Sequence, residues 1–346
     1  GYTFGGWYTT ATGSGGTAYA VGASYSTTAN LSLFAKWTAK THTVTYALDS
    51  GTSSASTAQL TGKVVGDTLT LPAANTMSKT GYTFAGWSDG TSTYAGGATW
   101  TTPASDSDFI LTALWTVVTL SYSYDTNGGG TAPAGGTKTY GQTLVLDSAT
   151  SLSKTGYTFA GWNDGTTTSS ASASVTITAN KVYVAQWTAQ SYSITYNGNT
   201  STSGSVTVGS YVAGGVPYAI ATNGFAKTGY TFSGWNTAAN GSGTTYAAGL
   251  TTYSSPGDIT LYAQWNSTIT YNANSSTSGT VPAATTAKGD APNTTLATNT
   301  GTLAKTNYVF DGWNTGANGT GTSYAAGAAN FASPGNTTLY AQWKAV

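Results

Sequence analysis

The sequence predicts a mainly β protein written as a tandem array of small modules, and three observations predict it. The phrase KTGYTFAGW at residues 79–87 returns at 154–162, then as KTGYTFSGW ending at Trp235 and KTNYVFDGW ending at Trp313, with a fragment, GYTFGGW, at residues 1–7. A second tryptophan follows each phrase, in LFAKW, LTALW, VYVAQW, LYAQW and LYAQW, so ten of the eleven Trp are periodic and only Trp100 stands outside. No segment has a capped helical period, whereas alternating polar and apolar residues open every complete module. The period of roughly 75 residues defines units long enough to fold alone, but only marginally.

Taken in order, a complete module opens on an alternating strand, THTVTY, TLSYSY, SYSITY or STITYN. In the first of these Val44 and Tyr46 share one face and Thr43 and Thr45 the other, the period of a half-buried strand. A Gly/Ser/Thr loop follows, and a second strand is expected through KVVGDTLTL or KTYGQTLVL. The aromatic phrase is the third strand. Its turn is either long (ATGSGGTAY, ANGSGTTYAAG, ANGTGTSYAAG) or short (SDGTST, NDGTTT), and Asn-Gly and Asp-Gly supply the positive φ of tight hairpins. The closing strand ends on the second Trp, giving about four strands per module. The boundaries read 1–39 (the second half of a module), 40–117, 118–189, 190–266 and 267–346, about four and a half modules. Short junctions such as WTAKTHTVTY and WTAQSYSITY favour an elongated, semi-rigid rod. The half-module is expected to be completed by upstream residues of the same polypeptide, or by strands of a neighbouring copy.

Parity assigns the aromatics. Tyr82, Phe84 and Gly86 alternate with Thr83, Ala85 and Trp87, and in the closing strand Leu261, Ala263 and Trp265 share a face. Burying both Phe84 and Trp87 needs an irregularity, for which the glycine before each such Trp suits a bulge. The expected core cluster is therefore Phe84, Trp87 and Trp115, each ring contributing about 2–3 kcal/mol on burial. The rival arrangement exposes Trp87 as a sugar-stacking platform.

Charged residues make up 6% of the chain, every acid is Asp and every base Lys, and the formal net charge is zero. Nothing electrostatic calls for nucleic acid or an anionic membrane. The 13% aromatic content argues for packed cores against disorder. Without Cys there is no disulfide, zinc thiolate or thiol nucleophile, and no apolar run is long enough to span a bilayer.

Chemistry-bearing residues are sparse. His42 is the lone histidine, expected on a strand surface, and no G-x-S-x-G elbow accompanies it. Asp106 and Asp108 in ASDSD could offer a weak calcium site, but a solvated loop is expected because calcium needs six to eight oxygen ligands. GSGTT and GTGTS lack the Lys and following helix of a phosphate cradle. Lys79 could donate to an isopeptide bond only beside a buried carboxylate, which the sequence does not place. Glycosylation triplets begin at Asn30, Asn199, Asn240, Asn266, Asn274, Asn293, Asn318 and Asn336, no more than chance gives in a chain so rich in Ser and Thr. No catalytic, cofactor-binding or metal-binding residue is expected.

The run G-Y-T-F-x-G-W, then T-x-Y-A-x-G, then L-Y-A-x-W resembles the Listeria–Bacteroides repeat, similar to the B-repeat of internalin B, across essentially the whole chain. The resemblance implies a small β-grasp-like module found in tandem on secreted surface proteins, serving as spacer, adhesin stalk or fibre subunit, with no catalytic centre to carry over. Two departures stand out: Glu and Arg are missing, and LPAAN at Leu71 lacks the Thr-Gly of a sorting signal. The reading is a non-enzymatic, extracellular structural array, a stalk or fibre segment of a cell-surface or filament protein that associates with further copies. The alternative is an adhesin module whose exposed Tyr and Thr rows hold glycans or another surface.

Overall fold

The structure is a computed structural model and describes residues 1–289 and 294–346. Strands dominate it. The one helical segment among the described residues is a 3-10 turn at Ala74–Thr76. The chain forms two compact units: one of residues 1–127, 131–150 and 161–185, the other of residues 128–130, 151–160 and 186–346, so the division passes through the third repeat.

In the first unit, the second repeat shows the plan. Its opening strand His42–Ala47 pairs antiparallel with Leu60–Lys63 and parallel with the closing strand Phe109–Val117. The closing strand pairs antiparallel with the third strand Tyr82–Ser88, whose hairpin returns through Thr93–Tyr94. Alternation follows from this order. Val44, Leu111, Ala113 and Trp87 point inward and are buried, while Thr45 and Ile110 face out. The predicted second strand is a correction: the KVVGDTLTL stretch breaks into Leu60–Lys63 and Thr68–Thr70, which belong to different sheets. The cause is a turn in which Asp67 accepts the Val64 N–H at 3.0 Å, after which Thr68–Thr70 pairs with Thr99–Thr101 instead. That second ribbon carries Leu69 and Trp100 down onto the core. The same division occurs in the third repeat, between Gly136–Thr139 and Thr143–Val145.

In residues 1–39 the strands Ala18–Tyr19, Tyr2–Tyr8 and Phe34–Ala39 form a three-stranded sheet with no opening strand beside Phe34–Ala39. Trp7 and Trp37 are accordingly 39% and 59% exposed, whereas the Trp of the aromatic phrase is fully buried in every complete repeat.

In the second unit, Ile259–Asn272 is a single 14-residue strand. Its first half closes the fourth repeat, pairing with Ser191–Asn197 and Thr231–Asn236, and its second half opens the fifth, pairing parallel with Thr337–Ala345. The two repeats therefore share one nine-stranded sheet.

Junctions inside each unit are stitched alike. The Val118 N–H donates to Gly81 at 2.9 Å and the Val118 carbonyl accepts from Tyr140 at 2.9 Å. In the second unit Gln190 donates to Gly156 and accepts from Ala213, at 2.8 and 3.0 Å. A Cβ at Gly81 would lie 2.0 Å from the Tyr140 ring, and one at Gly156 would lie 2.6 Å from Ala213, both at positive φ. The glycine of K-T-G is thus where one repeat touches the next.

Candidate functional site

The repeated aromatics converge on a core, not a platform. Trp87, Trp162, Trp235 and Trp313 are 0% exposed. In the second repeat the half-buried Phe84 stands edge-on between Trp87 and Trp115, at 5.5 and 5.4 Å; Phe232 and Phe310 stand likewise between Trp235 and Trp265 and between Trp313 and Trp343. The bulge expected at the preceding glycine is present. Register shifts there, and Gly86 has φ +137°.

A buried indole needs an acceptor for its N–H, and each finds a loop carbonyl. Trp87, Trp162, Trp235 and Trp313 donate to Pro72, Asp147, Ala221 and Ala297 at 2.8–3.1 Å. Trp115, Trp265 and Trp343 donate to Leu48, Gly198 and Asn274 in the loop after the opening strand. The same loop is tied from the other side by an Asn in the left-handed region. Asn199 donates to Ala239 and Ala263, and Asn274 to Ala317 and Ala341, at 2.7–2.8 Å. The triplets at Asn199 and Asn274 are therefore structural fasteners; Asn293 lies outside the described residues.

The remaining candidates are absorbed in the same way. Asp108 accepts the Thr43 N–H at 2.8 Å, and Asn180, Asp258 and Asn336 do the same for Ser121, Ser193 and Thr268. Asp106 meets Lys40 at 2.5 Å. Among the described residues no three His, Cys, Asp or Glu side chains gather as metal ligands. Lys79 bonds the carbonyl and carboxylate of Asp49 and lies over Tyr82; every phrase lysine lies over its tyrosine in this way, 4.3–5.0 Å from the ring centre. His42 is a correction to the expected surface position. It is 4% exposed, edge-on to Phe109 at 5.4 Å, because it shares parity with Val44 and Tyr46.

The opening-strand tyrosines complete each core. Tyr46, Tyr124, Tyr196 and Tyr271 lie 4.7–5.2 Å from the buried Trp of their repeat. Burial pushes the Tyr196 phenol up to about 12, opposed by the hydrogen bond it accepts from the Ala221 N–H. An unfolded tyrosine titrates near 10. Stability is complete below that value and falls as pH rises through about 10 to 12, where the unfolded chain ionises first. Alkaline titration is expected to unfold the fourth repeat cooperatively with the appearance of phenolate absorbance; ionisation of its tyrosines without loss of fold would contradict the assignment.

A sizeable concavity lies in the second unit. It is a groove of about 610 Å³ between the ANGSG turn of the fourth repeat, the loop at Asn199 and the end of Thr285–Lys288. Its walls combine Trp265, Ala239 and glycine backbone with amides, hydroxyls and two lysines.

The Listeria-Bacteroides repeat domain model matches residues 1–36, 42–113, 121–186, 192–264 and 268–342. The chain belongs to this family. These Listeria-Bacteroides repeats are also similar to two proteins of Evansella cellulosilytica. One, described as "Putative membrane protein", is 30% identical over 246 residues, 69% of this chain. The other, "Putative Gly-rich membrane protein", is 37% identical over 126 residues, 34% of this chain. The chain spans 35% of the first relative's length and 14% of the second's. No helix among the described residues of these repeats is long and apolar enough to cross a membrane.

Proposed function

We propose that the chain is a non-enzymatic, extracellular structural array, a stalk or fibre segment of a larger cell-surface or filament protein. Its units are the complete repeats 40–117, 118–189, 190–266 and 267–346, each β-grasp-like around its central parallel pair of strands, and the partial repeat 1–39. The observation that carries the reading is the complete burial of Trp87, Trp162, Trp235 and Trp313. The aromatics that recur along the chain are spent on rebuilding one core per repeat, and the recurrent polar groups are spent on tying loops. Rows of exposed coplanar rings, which a sugar-stacking adhesin would need, are not what the repeated tryptophans provide. The surface placement draws support from the membrane-protein descriptions of the two relatives.

Self-association fits the surface. With 6% charged residues and zero net charge, little repulsion separates copies, and edge strands have few lysines to guard them. Contacts made through Thr-, Ser- and Tyr-rich faces lose little to screening. Negative-stain images of the purified native protein are expected to show lateral or end-to-end assemblies at both low and high salt. Dispersal to single molecules at high salt, or no assembly at any concentration, would overturn the fibre reading.

A further inference from the structure

We propose that the fourth repeat carries a self-association edge: strand Gly209–Val212 pairs antiparallel, about a two-fold axis, with the same strand of a second copy. The inference rests on the self-association proposed above and names the place where it occurs. Gly209–Val212 is the terminal strand of the nine-stranded sheet and pairs on one side with Ser191–Asn197. On that side the Ala213 N–H donates to the Gln190 carbonyl at 3.0 Å. Residues of an antiparallel strand point their N–H and C=O groups alternately to one side and the other. Tyr211 therefore faces Ser191–Asn197, and Ser210 and Val212 face away from it.

The side chains have the same parity. Gly209 and Tyr211 are buried, while Val208, Ser210 and Val212 are exposed, the two valines by 57% and 47%. Val206 packs against the core of the repeat; Val208 and Val212 do not. An open edge is ordinarily guarded by a charged side chain, lysine above all. The corresponding strand of each other complete repeat has one: Lys63 in Leu60–Lys63, Lys138 in Gly136–Thr139 and Lys288 in Thr285–Lys288. The fourth repeat has none. Its strand reads Gly-Ser-Tyr-Val, within a stretch from Val182 to Ala226 that contains no charged residue at all.

A second copy is the occupant because this one strand supplies both halves of the contact. With the axis beside Ser210, that residue exchanges N–H···O=C bonds with its own counterpart. Val212 of each copy then lies opposite Val208 of the other, as an isologous contact requires. Opposed β-branched side chains stabilise paired strands, and no charge is brought against another across the contact.

The chain has no cysteine, so Ser210→Cys in the intact protein gives one thiol per molecule. A short bis-methanethiosulfonate linker is expected to join it into covalent dimers. Thr137→Cys, the exposed residue at the same register position beside Lys138, should not be joined. Val212→Lys should raise the concentration needed for pairing, read by analytical ultracentrifugation, about tenfold, with an unchanged melting curve because the side chain faces out. Ile110→Lys puts the same charge on an exposed site of a central strand and should leave pairing unchanged. Equal joining of the two thiols, Val212→Lys pairing like the parent, or Ile110→Lys weakening it as much would overturn this edge while assembly itself stands. Loss of assembly in Val212→Lys without Ser210→Cys dimers would mean that the edge meets a different strand, which overturns the two-fold pairing. A parent that stays single at every concentration overturns the fibre reading as well.

Discussion

Trp162→Ala is expected to unfold the third repeat while leaving the fifth intact. The indole is completely buried, lies 4.7 Å from the Tyr124 ring, and donates to the Asp147 carbonyl at 2.9 Å. Truncating such a ring costs about 3–5 kcal/mol, and the carbonyl left without its donor adds to the loss. A module of this size has only about 5 kcal/mol of stability to lose. Hydrogen-exchange mass spectrometry should show protection collapsing across residues 118–189 and persisting in 267–346. A variant that melts and exchanges like the parent would remove Trp162 from the core.

Gly86→Val should be comparably damaging although it adds atoms instead of removing them. The bulge places Gly86 at φ +137°, and a Cβ there would lie 2.6 Å from the Tyr94 carbonyl oxygen on the returning hairpin strand. Backbone strain of about 1–3 kcal/mol combines with overpacking of about 1–3 kcal/mol. The hairpin also sets the entry of Trp87 into the core, so the variant should lose the native fluorescence of a buried indole. Chemical denaturation gives the measurement; a midpoint within error of the parent's would mean that the bulge is not required.

Both residues were legible in the sequence because parity exposed a conflict. Phe84 and Trp87 cannot both point inward from a regular strand, and a glycine stood between them. The same logic was available for His42, which alternates with Val44 and Tyr46, but a lone polar residue reads as surface until its neighbours' burial is known. Trp100 could not be found by period, because the third repeat fills that place with Val175, opposite Leu144 as Trp100 is opposite Leu69. The break at Val64–Asp67 was signalled by its Gly-Asp pair, yet the direction in which Thr68–Thr70 departs is decided by a partner some thirty residues on. The groove is the least legible feature of all. Lys227 and Lys288 belong to different repeats, and only the strand shared between them brings their side chains to one place.

The central parallel pair has a mechanical consequence. A repeat is entered through its opening strand and left through its closing strand, and these lie side by side, Val44 opposite Phe109 through Ala47 opposite Thr112. Tension along the chain draws one strand by its leading end and its parallel neighbour by its trailing end, so the two are pulled past each other lengthwise. All the hydrogen bonds between them then bear load at once, unlike a hairpin, which peels open one bond at a time. Rupture under force follows the unfolding barrier and not the equilibrium stability. A module that heat unfolds easily can therefore hold against a steady pull, and the strand that Ile259–Asn272 shares between two repeats passes that load from one clamp directly into the next.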